Sequence, residues 1–196
     1  MTSIALPWRG SETRRTVTER PADEKPLVLA AQRGEQAAFS ELVRRHQRRA
    51  YAVARSIVIN HEDAEDAVQE AFLHAYRAID RFLPDQAFGA WLHRIVANAA
   101  LDVTRRRKVR DADELPETVA SPFRDPAEGG ELRARLTEAL NTLPARQRAV
   151  IVLHDVEGYK HAEIGQMLDI PEGTARSDLH YARSQLRQVL GALRQP

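Results

Sequence analysis

Residues 157–183 read EGYKHAEIGQMLDIPEGTARSDLHYAR, a short helix, a tight turn and a second helix dense in polar side chains. Ala162, Ile164 and Leu168 recur at helical spacing and give the first helix an inner face, while Gly165 permits a close helix crossing. Asp169, Ile170 and Pro171 supply the turn, and a proline opening the second helix sacrifices an N–H that no intrahelical carbonyl would have used. This is the sequence form of a helix-turn-helix, whose second helix enters a DNA major groove. That second helix is expected over residues 171–195. Its first half offers Glu172, Thr174, Arg176, Ser177 and His180 to base edges, and Arg183 suits a phosphate. A buried, hydrogen-bonded role is the alternative for His180. Lys160, Arg146 and Arg148 are further phosphate candidates.

Upstream of this motif the chain keeps a helical period. Leu27, Leu29 and Ala30 begin a short helix that Gly34 interrupts, and Ala38, Phe39, Leu42, Val43, His46, Ala50, Val53, Ala54 and Ile57 continue at 3.6-residue spacing. A third helix over residues 62–81 buries Ala64, Ala67, Val68, Ala71, Phe72, Ala75 and Ile79, with acidic groups in its first turn that favour the positive end of the helix dipole. A fourth runs over residues 88–110, packs Trp91, Leu92, Ile95, Val96, Ala99 and Leu101, and ends in the basic run RRRKVR at 105–110. Leu132, Leu136, Ala139 and Leu140 mark a fifth helix, and Pro144 opens a sixth through Asp155. No strand pattern or internal repeat is seen. The fold class is all-α: two small helical domains at 26–110 and 131–196, an acidic linker at 111–130 and a disordered tail at 1–25.

Composition narrows the function. The chain has 196 residues, 29 Lys+Arg against 28 Asp+Glu, and a net charge of +1, so a wholesale polyanion coat is excluded. Charge is segregated instead: residues 26–110 hold 14 basic and 10 acidic groups, and residues 111–130 hold 1 basic and 6 acidic groups. Absence of cysteine rules out disulfides, thiolate zinc sites and thiol catalysis. No signal-type or membrane-length apolar run occurs, so a cytoplasmic protein is expected. His154 and His161 stand seven apart without an HExxH pattern, and no Gly-rich phosphate loop is present. No catalytic residues, metal site or cofactor are expected.

The stretches AAFSELVRRHQ, EDAEDAVQEAFLHAYRAIDRF, FGAWLHRIVANAALDVTRRRK, LPARQRAVIVLHDVEGYKHAEIGQML and EGTARSDLHYAR, in that order, resemble the signatures of the extracytoplasmic-function (ECF) group of sigma-70 factors. The resemblance covers residues 27–190. It implies a non-enzymatic transcription initiation factor that binds core RNA polymerase, directs it to −10 and −35 promoter elements, and is held by an anti-sigma factor. The first domain corresponds to sigma region 2 and the second to sigma region 4.

On that resemblance, the stripe Asp63, Glu65, Asp66, Gln69 and Glu70 docks onto a basic coiled coil of the polymerase, charge complementarity supplying orientation and on-rate. A solvated helix face is the plain alternative. Residues 81–88 and the start of the fourth helix correspond to the element that reads the non-template −10 strand. An unstacked base needs a pocket and its phosphates need cations. Arg77, Arg81, Phe82, Gln86, Arg94 and Asn98 are the candidates, followed by phosphate contacts from Arg105, Arg106 and Arg107. Phe88 and Trp91 could stack on bases, although their spacing with Ile95 favours the core. Lys160, Thr174, Arg176, Ser177, His180 and Arg183 would meet the −35 element. The family commonly has basic residues where this chain has Asp178 and Tyr181, and an exposed Asp178 would repel phosphate or prefer a cytosine amino group. A stand-alone helix-turn-helix regulator with a ligand- or partner-sensing first domain is the rival reading.

Overall fold

The computed structural model describes residues 24–113 and 130–192; almost all of the expected tail and linker lies outside them. Within these residues every regular element is helical. The first unit is built from α1 (Lys25–Gln32), α2 (Gln36–Val58), α3 (His61–Ala78) and α4 (Phe88–Asp113), with a 3₁₀ turn at Ile79–Arg81. The second comprises α5 (Gly130–Asn141), α6 (Ala145–Ile151), a π-helical turn at Val152–Val156, α7 (His161–Leu168) and α8 (Glu172–Ala192).

The helices start and stop for local reasons. Pro26 sits in the first turn of α1, where its missing N–H is harmless. Gly34, at φ 87°, lets the chain turn back into α2. Asn60 caps α3: its side-chain oxygen accepts from the Asp63 N–H at 2.7 Å, a cap of about 1 kcal/mol. At the end of α2, Ile59 adopts φ 78° and Asn60 N–H donates to Val58 O at 3.0 Å, closing a γ-turn that a β-branched residue enters only under strain.

Ala64, Ala67, Ala71 and Ala75 make the inner face of α3 fully buried, and their small size brings α3 close to α2 and α4. Phe82, Phe88 and Trp91 form an aromatic cluster at the base of the first unit, with Phe82 and Trp91 centroids 4.8 Å apart. Two inner faces differ from the periodicity. In α1 the buried residues are Val28 and Ala31, while Leu27 and Ala30 are partly buried against the core and Leu29 is exposed. In α7 Ala162 is exposed and Met167 joins Ile164 and Leu168 inside.

The two units are not separate beads. A continuous hydrophobic cluster runs from Val28, Leu42 and Leu92 through Val96 and Ala100 to Val150, Leu153, Ile164 and Leu179. α2 and α4 meet α6, the π-helical turn and α7 along this seam.

Candidate functional site

Three surfaces carry the residues singled out from the sequence. On α3, Asp63, Glu65, Asp66, Gln69 and Glu70 fall on the side opposite the alanines. Asp66, Glu65 and Gln69 are exposed, and the stripe continues into exposed Leu73 and Tyr76, so the face is acidic and apolar together. Asp63, Asp66, Gln69, Glu70 and Leu73 line one wall of a groove of about 840 Å³ whose other wall is Val103, Arg105, Arg106, Val109 and Arg110 of α4. Ion pairs cross it. Arg106 Nη2 donates to Glu70 at 2.6 Å, which raises the guanidinium pKa, and Arg107 Nη1 donates to Asp63 at 2.9 Å. Asp63 also accepts from Asn60 Nδ2 at 2.6 Å. Two of the acids expected to dock a partner therefore hold two of the arginines expected to hold DNA phosphates.

The second surface lies around the loop at 82–87 and α4. Arg77, Arg81, Arg94 and Arg105 are exposed and Gln86 is half-buried. Arg94, Asn98 and Arg105 stand four and seven residues apart, on one side of α4. Arg105 pairs with Asp102 at 2.7 Å. Phe82 is a correction: it is 4% exposed and packed edge-on against Phe88 and at a tilt against Trp91, so it fills the core and offers no platform to a base. Phe88 is core as well, at 2%, and Trp91 is half-buried. A residue outside the sequence candidates fixes the loop: Gln32 Nε2 donates to the carbonyls of Ile79 at 2.9 Å and Phe82 at 2.7 Å. Its signal was a lone glutamine in a short helix, which no spacing rule distinguishes from a surface residue.

The third surface is α8. Gly165 O accepts from Ile170 N–H at 2.9 Å, and a Cβ on Gly165 would stand 2.8 Å from Ile170 O, so glycine is required by the turn itself. Asp169 takes the left-handed conformation at φ 54°, one that Asp tolerates better than most residues. α8 then exposes Arg176, Ser177, His180 and Tyr181 on one side and buries Ala175, Asp178, Leu179 and Ala182 on the other. His180 is thus a surface residue. Tyr181, 60% exposed, lies beside the His180 ring with centroids 5.9 Å apart. Thr174 is half-buried and its carbonyl accepts from Ser177 Oγ at 3.0 Å. Arg176 pairs with Glu172 at 2.8 Å, Arg183 Nε with Asp155 at 3.1 Å, and the Lys160 side chain is exposed.

Two expectations here are overturned. Asp178 does not face DNA: it is 4% exposed and held by Arg146, whose Nε lies 2.6 Å from Oδ2. Arg148 is no phosphate contact. It is 4% exposed and donates to the carbonyls of Leu143 and, at 2.8 Å, Ile57; burial pulls its guanidinium down to about 10, still charged at neutral pH. The rings of His154 and His161, seven residues apart, come to 4.9 Å at the start of α7.

Comparison with known proteins agrees with this geometry. The family model for sigma-70 region 2 matches residues 42–110 and that for sigma-70 region 4 matches residues 133–186. The ECF RNA polymerase sigma factor SigM of Mycobacterium tuberculosis is 40% identical over 167 residues, 85% of this chain and 84% of that protein. The ECF RNA polymerase sigma-E factor of Escherichia coli is 33% identical over 82% of this chain and 90% of its own length. Among solved structures, CnrH in complex with the cytosolic domain of CnrY superposes with a TM-score of 0.63 at 30% identity, covering 87% of this chain and 98% of CnrH. The sigma factor RpoE of Bartonella quintana, in complex with the anti-sigma factor NepR, superposes with a TM-score of 0.64 at 30% identity, covering 78% and 96%. With both sigma regions matched in order and relatives aligned over most of their length, the chain belongs to the ECF group of sigma-70 factors, transcription initiation factors that direct RNA polymerase to promoters.

Proposed function

We propose that the chain joins core RNA polymerase through the acidic and apolar face of α3, reads the −10 strand with the exposed cations of the first unit and Asn98, and reads the −35 duplex with the outer face of α8. The observation that carries this is the separation of chemistry by surface. The acids lie along the first half of α3, the exposed cations lie at its far end and along α4 with Asn98, and a polar recognition helix stands on the other unit. Charge complementarity at α3 orients the polymerase more than it adds affinity. Along α8, Arg176 is suited to a guanine edge, and Tyr181 presents an aromatic face where a thymine methyl would lie. Polymerase carries out the catalysis.

An anti-sigma factor completes the reading. The solved neighbour RpoE is bound to the anti-sigma factor NepR and CnrH to the cytosolic domain of CnrY, and this chain superposes on both over most of its length. Leu73 and Tyr76, exposed beside the acids of α3, supply apolar area for such a partner.

The assignment of α3 is tested by reversing Asp66 and Glu70 together to Lys and measuring core polymerase binding. Loss of binding with an unchanged circular dichroism spectrum and melting temperature is expected. Wild-type binding by the doubly reversed chain would remove α3 from the interface.

A further inference from the structure

Residues 82–87 carry the chain from the 3₁₀ turn into α4. Leu83, Asp85 and Ala87 are exposed and Pro84 and Gln86 half-buried, so the tip of this loop faces solvent. Gln86 N–H closes the tip by donating to Leu83 O at 2.9 Å, with Pro84 where a tight turn favours proline. The entry is fixed at Phe82. Its ring is buried, its N–H donates to Ile79 O at 3.0 Å, and its carbonyl accepts from Gln32 Nε2 at 2.7 Å. The same amide donates to Ile79 O at 2.9 Å, so both hydrogens of one half-buried side chain of α1 are spent on the backbone that launches the loop. At the other end of α1, Lys25 Nζ meets the tip at Asp85, 2.6 Å away.

Two carbonyls converge on the Gln32 amide, so the group between them has to be a donor; an acceptor or an apolar side chain of equal length would leave the oxygens unbridged. The peptide plane that follows Phe82 carries one of those oxygens. Its orientation sets the direction in which Leu83 and the turn leave the core, because the Phe82 ring is locked against Phe88 and Trp91. A slot that reads an unstacked base works only when its walls are held to about 0.5 Å. The Lys25–Asp85 pair is 48% and 81% exposed, so water screens it and it holds the loop weakly. Its effect is on charge, since Lys25 offsets a carboxylate that would repel strand phosphates. The bond that governs the loop's shape is therefore the one from Gln32.

We propose that Gln32 is a positioning residue for −10 recognition: by bridging the carbonyls of Ile79 and Phe82 it fixes the loop at 82–87 in the shape that selects a base of the single strand, without itself touching DNA. This rests on the assignment of that loop to the −10 strand, and adds to it a residue of α1 on which the selectivity depends.

The test uses the full chain with core RNA polymerase on two template sets built from a promoter the wild type uses, one randomised at −10 and the other at −35, with the transcribed templates sequenced. Gln32→Met removes both donors at similar size, and Gln32→Glu, of the same length, has no donor at neutral pH. Both are expected to flatten the preference at a −10 position by roughly five-fold or more, the low end of what one well-formed base contact contributes. Core affinity and −35 preference are expected to stay at wild-type values. Gln32→Lys returns a donor to the two carbonyls and is expected to keep the wild-type −10 preference. Ile57→Ala is the control for lost stability: this buried residue lies about three turns along α2 from His46, the ring that packs on Phe88, and its truncation is expected to leave the −10 preference alone. Wild-type preference in whichever of Gln32→Met and Gln32→Glu folds, or equal flattening in Gln32→Lys or Ile57→Ala, would overturn the proposal. Leu83→Ala combined with Gln86→Ala separates it from the reading beneath. An unmoved preference in that double variant removes the loop from the −10 strand and the positioning role with it, whereas a moved preference beside unmoved Gln32 variants removes Gln32 alone.

Discussion

Asp178 and Arg146 form an ion pair across α8 and α6, with Arg146 Nε 2.6 Å and Nη2 3.4 Å from the two carboxylate oxygens of a nearly buried aspartate. The pair raises the Arg146 pKa and turns Asp178 away from the recognition face. Because the arginine side chain is 53% exposed, water screens part of the attraction. Asp178→Ala is expected to destabilise the second unit by about 1 to 2 kcal/mol, mainly through the lost charge-assisted hydrogen bonds. Urea unfolding measures that loss, and selection from a randomised −35 library is expected to return the wild-type preference. An altered preference at unchanged stability would put Asp178 back on the DNA.

Gly165→Ala drives a methyl group to 2.8 Å from a turn carbonyl, and backbone cannot yield as a long side chain can. A loss of about 1 to 3 kcal/mol is expected, together with loss of −35 binding. Gly173, whose Cβ would meet nothing within 4 Å, is the control: Gly173→Ala is expected to melt at or above the wild-type temperature.

Within α8, Arg176→Ala is expected to cost about 1 to 3 kcal/mol of −35 affinity and to relax preference at one base pair. Arg183 is already tied to Asp155, so Arg183→Ala is expected to weaken binding less and equally across sequences. Titration of matched and mismatched duplexes separates the two. A uniform loss for Arg176→Ala would make it a phosphate contact.

His93 gives the fold a pH dependence with a definite sign. Burial, then Arg49 and His46, lower its pKa from 6.5 to about 3, so the unfolded chain binds a proton that the folded one refuses. Stability therefore rises with pH through this window and falls on acidification below about 6.5. Between pH 7.5 and 5.5 this one group removes about 1.4 kcal/mol. Glu157 acts in the opposite direction near the carboxylate range, because burial raises its pKa against the pull of Arg49. Urea midpoints are expected to drop as the pH is lowered across this range in the wild type, and to drop less in His93→Gln. Equal slopes in the two chains would remove His93 as the cause.

Helices, their order and the recognition turn were legible because alanine and leucine at 3.6 spacing, Asn60, Gly34 and the Asp169-Ile170-Pro171 turn are local signals. Phe82, Asp178 and Arg148 misled for a shared reason. Each has the side chain of a nucleic-acid contact, and what turns it inward is a partner 6 to 91 residues away: Phe88 for Phe82, Arg146 for Asp178, Ile57 O for Arg148. Helical period places Asp63 and Glu70 on one face but carries no information that Arg107 and Arg106 reach them from another helix. The seam was invisible for the same reason: Asn98 with Met167 and Arg49 with Glu157 are joined only by tertiary packing.

Transcription by purified core RNA polymerase on fragmented DNA of the source organism, with and without this protein and with RNA 5′ ends mapped, tests initiation most directly. New start sites that appear only with the protein and share −35 and −10 sequences are the predicted result. Absence of new starts despite core binding, or tight specific duplex binding by the protein alone with no effect on polymerase, would contradict it.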